Sequence, residues 1–154
     1  MSIDLVCGAI AALLDGLAVT SGSTAYTLRA SDPPPGKMDT AQLPAAWVFT
    51  GQAADDWSAH EFGLVTRQYA VQVALLPVGQ STPEEREKRC RPFIGAVRAQ
   101  LAAHPSLGGQ VPWLERARVT GDSGIILLPE YGGIYIGFEM RLEALEAVHV
   151  TLID

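Results

Sequence analysis

The stretch Gly133-Ile134-Tyr135-Ile136-Gly137-Phe138-Glu139-Met140-Arg141-Leu142-Glu143-Ala144-Leu145 decides the fold. Ile134, Ile136, Phe138, Met140 and Leu142 take alternate positions, with Tyr135, Gly137, Glu139, Arg141 and Glu143 between them. Only an extended backbone puts every second side chain on one side. The segment therefore reads as a long strand with one face to bury and the other to stay wet or meet a partner.

Working outward, Leu64–Leu76 carries the same period. Tyr69, Val71, Val73 and Leu75 alternate with Gln68, Ala70, Gln72 and Ala74, and Pro77 ends the run. Pro44–Thr50, centred on Trp47-Val48-Phe49, Trp113–Thr120, Ile125–Leu128 and a short Ala25–Arg29 complete the expected strands. Gly121-Asp122-Ser123-Gly124 reads as the turn between two of them, and Ala53–Trp57 as a loop or one helical turn. Two segments have helical spacing instead. Ile3, Val6, Ile10, Leu13, Leu14 and Leu17 recur at three to four residues, with Ser2 able to cap the first turn, which predicts a helix from Ser2 to Leu17. Thr82-Pro83-Glu84-Glu85 supplies a cap, a first-turn proline and a capping-box carboxylate. It opens a helix to about Ala103 that buries Phe93, Ile94, Val97 and Leu101 and meets a kink or break at Pro92. Between helix and sheet, the prolines of Ser31–Lys37 lack donors and keep that stretch out of any sheet, as an exposed loop. The order predicts an α+β fold: one domain over residues 1–154 with an antiparallel or mixed sheet, two main helices, a long C-terminal strand and a Pro-rich loop near 31–43.

Composition narrows the function. The chain of 154 residues is 48% hydrophobic and 18% charged, with net charge −6. That charge argues against bulk attraction to nucleic-acid phosphate, and the low charged fraction suits a surface partly covered in an assembly. Two cysteines, Cys7 and Cys90, are too few for a disulfide scaffold and lack metal-ligand spacing. Asp4 reads against a signal peptide, and the apolar run Val6–Leu14 is too short to span a bilayer. These features predict a chain made in the cytoplasm, with no membrane partner.

Motifs that could carry chemistry have plainer readings beside them. Gly121-Asp122-Ser123-Gly124 matches the tetrapeptide around a serine-protease nucleophile, but the only aspartate between His60 and Ser123 is Asp122, the serine's own neighbour, so no separate aspartate stands where the chemistry needs one to orient the histidine. A small hydrolase using Asp56, His60 and Ser123 is the enzyme alternative. Asp55-Asp56-Trp57-Ser58-Ala59-His60-Glu61 offers oxygen and imidazole ligands without a third anchor elsewhere, so a polar surface loop is preferred to a metal site. No cofactor motif is present, since neither Gly108-Gly109 nor Gly132-Gly133 has the lysine and strand-to-helix context of a phosphate loop. Arg86, Lys88, Arg89, Arg91 and Arg98 make the second helix basic. That face is either solvated, set against the acidic Glu139, Glu143 and Glu146 of a neighbouring subunit, or in contact with packaged DNA.

Taken in order, several segments resemble the tail terminator, or tail-completion, proteins of long-tailed bacteriophages and related prophage or gene-transfer particles. They are the leading helix, the Pro-rich loop, Leu43-Pro44-Ala45-Ala46-Trp47-Val48-Phe49, the Arg67–Leu76 strand, the Thr82–Arg86 helix start and Tyr131-Gly132-Gly133-Ile134-Tyr135. The resemblance implies a structural virion protein, not an enzyme, placed at the tail–neck junction. It implies a homohexameric ring that caps the tail tube, with the tube protein and the head connector or stopper as partners and transient contact with DNA in the lumen. Related architectures leave a neck or stopper protein, or a tube subunit, as the structural alternative. Trp57, Phe62, Arg86, Arg89, Tyr131, Tyr135, Glu139 and Glu143 are the candidate interface residues.

Overall fold

The computed structural model describes residues 2–56 and 62–149. Helix α1 (Ser2–Leu14) leads into a hairpin of β1 (Ala18–Ser21) and β2 (Thr24–Thr27), then β3 (Arg29–Ser31), β4 (Ala45–Asp56) and β5 (Phe62–Pro77). Helix α2 (Pro83–Ala102) follows, then β6 (Leu114–Asp122), β7 (Ile126–Leu128) and β8 (Tyr135–His149). The main sheet is ordered β3-β4-β5-β8-β6, with β7 also paired to β8. Only β3 and β4 run parallel, so the sheet is mixed and the fold is α+β. The strand that opened the sequence reading, β8, lies between β5 and β6 and pairs with β5 along nearly its whole length.

Its alternation is used as expected on one face. Ile136, Phe138, Met140, Leu142 and Ala144 are buried against the helices together with Tyr69, Val71, Val73 and Leu75 of β5. Val6, Ile10 and Leu14 of α1 and Cys90, Phe93, Val97 and Leu101 of α2 close this core from above. Both cysteines are free and buried, and burial pushes the Cys90 thiol up to about 11. The other face, expected to stay wet or meet a partner, is partly covered by the chain itself. At its β7 end, Met38, Ala45, Trp47, Ala74, Leu128, Tyr131 and Tyr135 form a second, smaller core. The Trp47 and Tyr131 rings lie 4.5 Å apart there.

Several boundaries differ from the sequence reading for identifiable reasons. Helix α1 takes in Ser2 itself and stops at Leu14, three residues early, because Gly16 turns the chain at φ +84° and donates its N–H to the Leu28 carbonyl. Beyond it, Thr20–Ser23 forms the tight end of the β1–β2 hairpin, with Gly22 at φ +62°. Ser31 ends β3 opposite Trp47, although the sequence placed it in the loop. The loop beyond is exposed through most of Asp32–Lys37, then docks on the second core through buried Met38. Gly51–Asp56 is neither loop nor helical turn: β4 continues to Asp56, paired with β5 as far as Leu64. A bulge sets Gly51 and Gln52 against Gln68, and a Cβ on Gly51 would come within 2.7 Å of the Gln68 carbonyl oxygen.

Helix α2 starts where its capping signal predicted, with Pro83 in the first turn and the Thr82 hydroxyl accepting from Glu85 N–H at 3.2 Å. It then runs without a break through Pro92. Proline has no N–H for the carbonyl four residues earlier, which is that of Lys88. The hairpin supplies the missing donor, because Ser21 Oγ donates to the Lys88 carbonyl at 2.9 Å. Ser21→Ala is therefore expected to cost about 1 kcal/mol in urea unfolding. In a Pro92→Ala background, where residue 92 regains its N–H, the same change is expected to cost almost nothing. Equal costs in the two backgrounds would refute the compensation.

Candidate assembly surface

The sheet carries more strand than its helices cover. Beyond the Gly51 bulge, β4, β5 and β8 continue together as a ribbon, and every β4 residue from Gly51 to Asp56 is exposed. Gly, Ala and Asp have little intrinsic preference for strands, so pairing with Leu64–Arg67 is what holds this segment extended. Its outer edge is open: β3 pairs only with Ala45–Trp47, so from Val48 to Asp56 no described strand lies on that side. At the opposite edge of the sheet, β6 likewise has β8 on one side and no described strand on the other. Trp113, directly before β6, is 52% exposed and accepts the Ala147 N–H at the ribbon end.

The polar residues on the non-helical face are linked across the strands. Arg118 pairs with Glu143 at 2.8 Å, and Gln68 Nε2 donates to the other Glu143 oxygen at 3.4 Å. Four residues along the strands toward the second core, Gln72 Nε2 and Arg141 Nε both donate to Glu139, at 3.4 and 3.3 Å. Tyr131 Oη donates to Gln72 Oε1 at 2.5 Å. Such partly exposed pairs contribute little stability individually but fix the side chains in rows.

The eight interface candidates from the sequence fall into different settings. Trp57 lies outside the described residues, and of Phe62 only the backbone is placed, at the start of β5. Tyr131 and Tyr135 are 2% and 7% exposed in the second core, where the Tyr135 hydroxyl donates to the Met38 carbonyl at 2.9 Å. They brace the chain's own loop and do not present a free surface. Arg86 donates to Ser81 Oγ at 3.0 Å and to the Val78 carbonyl at 3.4 Å, tying the start of α2 to the end of β5. The Arg89 guanidinium sits 4.2 Å above the Tyr26 ring. Glu139 and Glu143 hold the cross-strand rows. Glu146, grouped with them in the sequence, is buried on the opposite, helical face. The basic face of α2 and these carboxylates are therefore already engaged within one chain. Missed in the sequence were Trp113, Arg116 and the β4 extension; the one available signal was an aromatic residue directly before a strand with two basic residues on one face.

The residues weighed for catalysis are not brought together. Asp56 sits at the ribbon tip opposite Leu64, whereas Ser123 bonds to Glu139, which is level with Gln72. About eight residues of β5 separate the two levels, roughly 26 Å at ~3.3 Å per residue. His60 lies outside the described residues. Nor is Gly121–Gly124 a hairpin turn, since β6 and β7 pair with successive parts of β8 and not with each other. Ser123 bridges the gap between them. Its N–H donates to the Glu139 carbonyl at 2.9 Å, its Oγ accepts the Glu139 N–H at 2.8 Å, and that hydroxyl donates to the Gly124 carbonyl at 2.7 Å. Asp122 completes the jog by accepting from Gly124 N–H at 2.8 Å and pairing with Arg98 at 2.6 Å. The Gly124 hydrogen bond, then Arg98, holds its carboxyl below the ordinary carboxylate range. Among the described residues, no group of three His, Cys, Asp or Glu side chains could hold a metal ion, and no helix is long and apolar enough to cross a membrane.

Comparison with known proteins finds no family model and no curated sequence that matches this chain.

Proposed function

We propose that this chain is a tail terminator, a structural subunit that closes into a ring, caps the tail tube of a phage-like particle and joins it to the head connector. The observation that supports this reading is the ribbon of β4, β5 and β8, with six successive exposed residues and an open edge. Unpaired strand edges of this length template pairing with another chain unless they are protected. A ring meets that requirement by giving every edge a partner. Polar rows on the non-helical face suit a surface exposed to solvent or to DNA in a lumen.

Native mass measurement on the purified chain tests the reading. A species near six times 16.4 kDa, appearing as a ring with a central hole in negative stain, is the expected result. Tubes that lengthen with concentration would identify a tube subunit instead. A single chain at all concentrations, with hydrolytic activity lost on Ser123→Ala, would replace the structural reading with the enzymatic one.

A further inference from the structure

We infer that successive copies of this chain join by antiparallel pairing of the β4 edge, from Gly51 to Asp56, with the β6 edge of the next copy, from Trp113 to Arg118. The inference rests on the ring-forming reading above and specifies its interface.

Direction follows from topology. β4 opposes β5, β5 opposes β8 and β8 opposes β6, so β4 and β6 run in opposite directions at the two edges of one sheet. A copy set beside the first with its sheet continuing in the same sense presents its β6 antiparallel to β4. The contact is head-to-tail, joining two different edges, and such contacts generate closed rings when the rotation per copy divides the circle.

Height and face also match. Ala54 pairs with Thr66, Thr66 with Leu145 and Leu145 with Arg116, so Ala54 and Arg116 are level and point to the same face. In the joined sheet they would be direct neighbours. Asp56, two residues along on that face, would be the diagonal neighbour of Arg116, within reach of its guanidinium. Asp55, Asp56 and Arg116 are all exposed, and among the described residues none of them has an ionic partner within the chain. One edge thus ends in acidic side chains and the other carries a basic one at the matching level. Trp113 adds an exposed aromatic anchor at the ribbon end of β6, the type of residue that dominates binding energy at such contacts. The β6 backbone is held open for this role by the Ser123 jog, which keeps β7 in line with β6 and away from its outer side.

The test combines charge exchange with cross-linking on the full chain. Asp56→Arg and Arg116→Asp, each alone, are expected to raise the concentration for half-assembly at least tenfold, and the two together to restore it. Ala54→Cys with Arg116→Cys, or with Arg118→Cys for a two-residue stagger, is expected to give a ladder of covalent multimers on a non-reducing gel. Each single cysteine variant should not, because Cys7 and Cys90 are buried. A ring by mass that shows neither cross-linking nor charge coupling would overturn the edge pairing and leave the terminator reading standing. A single chain at every concentration, with wild-type folding by circular dichroism, would overturn both.

Discussion

Gly137→Ala is expected to destabilise the protein by about 3 kcal/mol or more, the upper end for overpacked sites. For a domain of this size that lowers the melting temperature by roughly 10 °C. Gly137 lies near the start of β8, flanked by Ala74 of β5 and Ile126 of β7. Directly alongside, β5 bulges between Ala74 and Leu76 and carries its backbone against the glycine. A Cβ at this position would overlap the Val73 carbonyl oxygen and sit 2.8 Å from its carbon and 3.0 Å from Leu128 Cδ1. Backbone cannot swing aside as a side chain can, so either the β5–β8 pairing or the β7 pairing must give way. Gly79→Ala, with no atom within 4 Å of the added carbon, is the control and should stay within about 0.5 kcal/mol. Urea unfolding of the two variants beside the parent decides the matter. A loss at Gly137 no larger than at Gly79 would mean that the strands are not packed as closely as described.

The second large effect is expected at Trp47. Its truncation to alanine removes a buried aromatic side chain and should cost about 3–5 kcal/mol. This change also reports on the second core by itself. Trp47 stacks near Tyr131, Tyr131 accepts the Met38 N–H at 2.9 Å through its carbonyl, and Tyr135 reaches the Met38 carbonyl. Through those three contacts the loop around Met38 rests on the tryptophan. Trp47→Ala should therefore make the Pro-rich loop cleavable by protease under conditions in which the parent is intact, while Trp47→Phe recovers most of the protection. Destabilisation without faster loop cleavage would show that the loop is held by other means.

Much of the architecture was legible because its period is simple. The alternation in β5 and β8 and the Thr82–Glu85 cap each state one local requirement, and the fold honours them. What was not legible depended on distant partners. Gly51–Asp56 has poor strand formers and is extended only because Leu64–Arg67 runs beside it. Tyr131 and Tyr135 looked like surface aromatics because the face they occupy is polar farther along β8. The clue was in β4 instead, where Trp47 and Phe49 alternate with Ala46 and Val48, so that both faces are apolar, as in a strand covered on both sides. Pro92 was expected to interrupt α2, and a hydroxyl more than 60 residues earlier in the chain repairs the ladder there. Of the candidate interface, the sequence yielded the lengths of β5 and β8 but neither the β4 extension nor the open edges, since an edge is defined by which neighbours a strand lacks.

The position of β8 bears on how the molecule is made. Synthesis runs from the N-terminus, so β5 and β6 both leave the ribosome before the strand that must lie between them. Until β8 is released, the nascent chain holds α1, the hairpin and α2 over an unfinished sheet, with Tyr69, Val71 and Val73 uncovered by Phe138 and Met140. The β6 edge is not set at its final height during that interval, because β8 is the strand it pairs with. On the edge-pairing proposal, chains still attached to the ribosome would thereby be kept from joining one another, and competence to associate would begin once β8 slots into place.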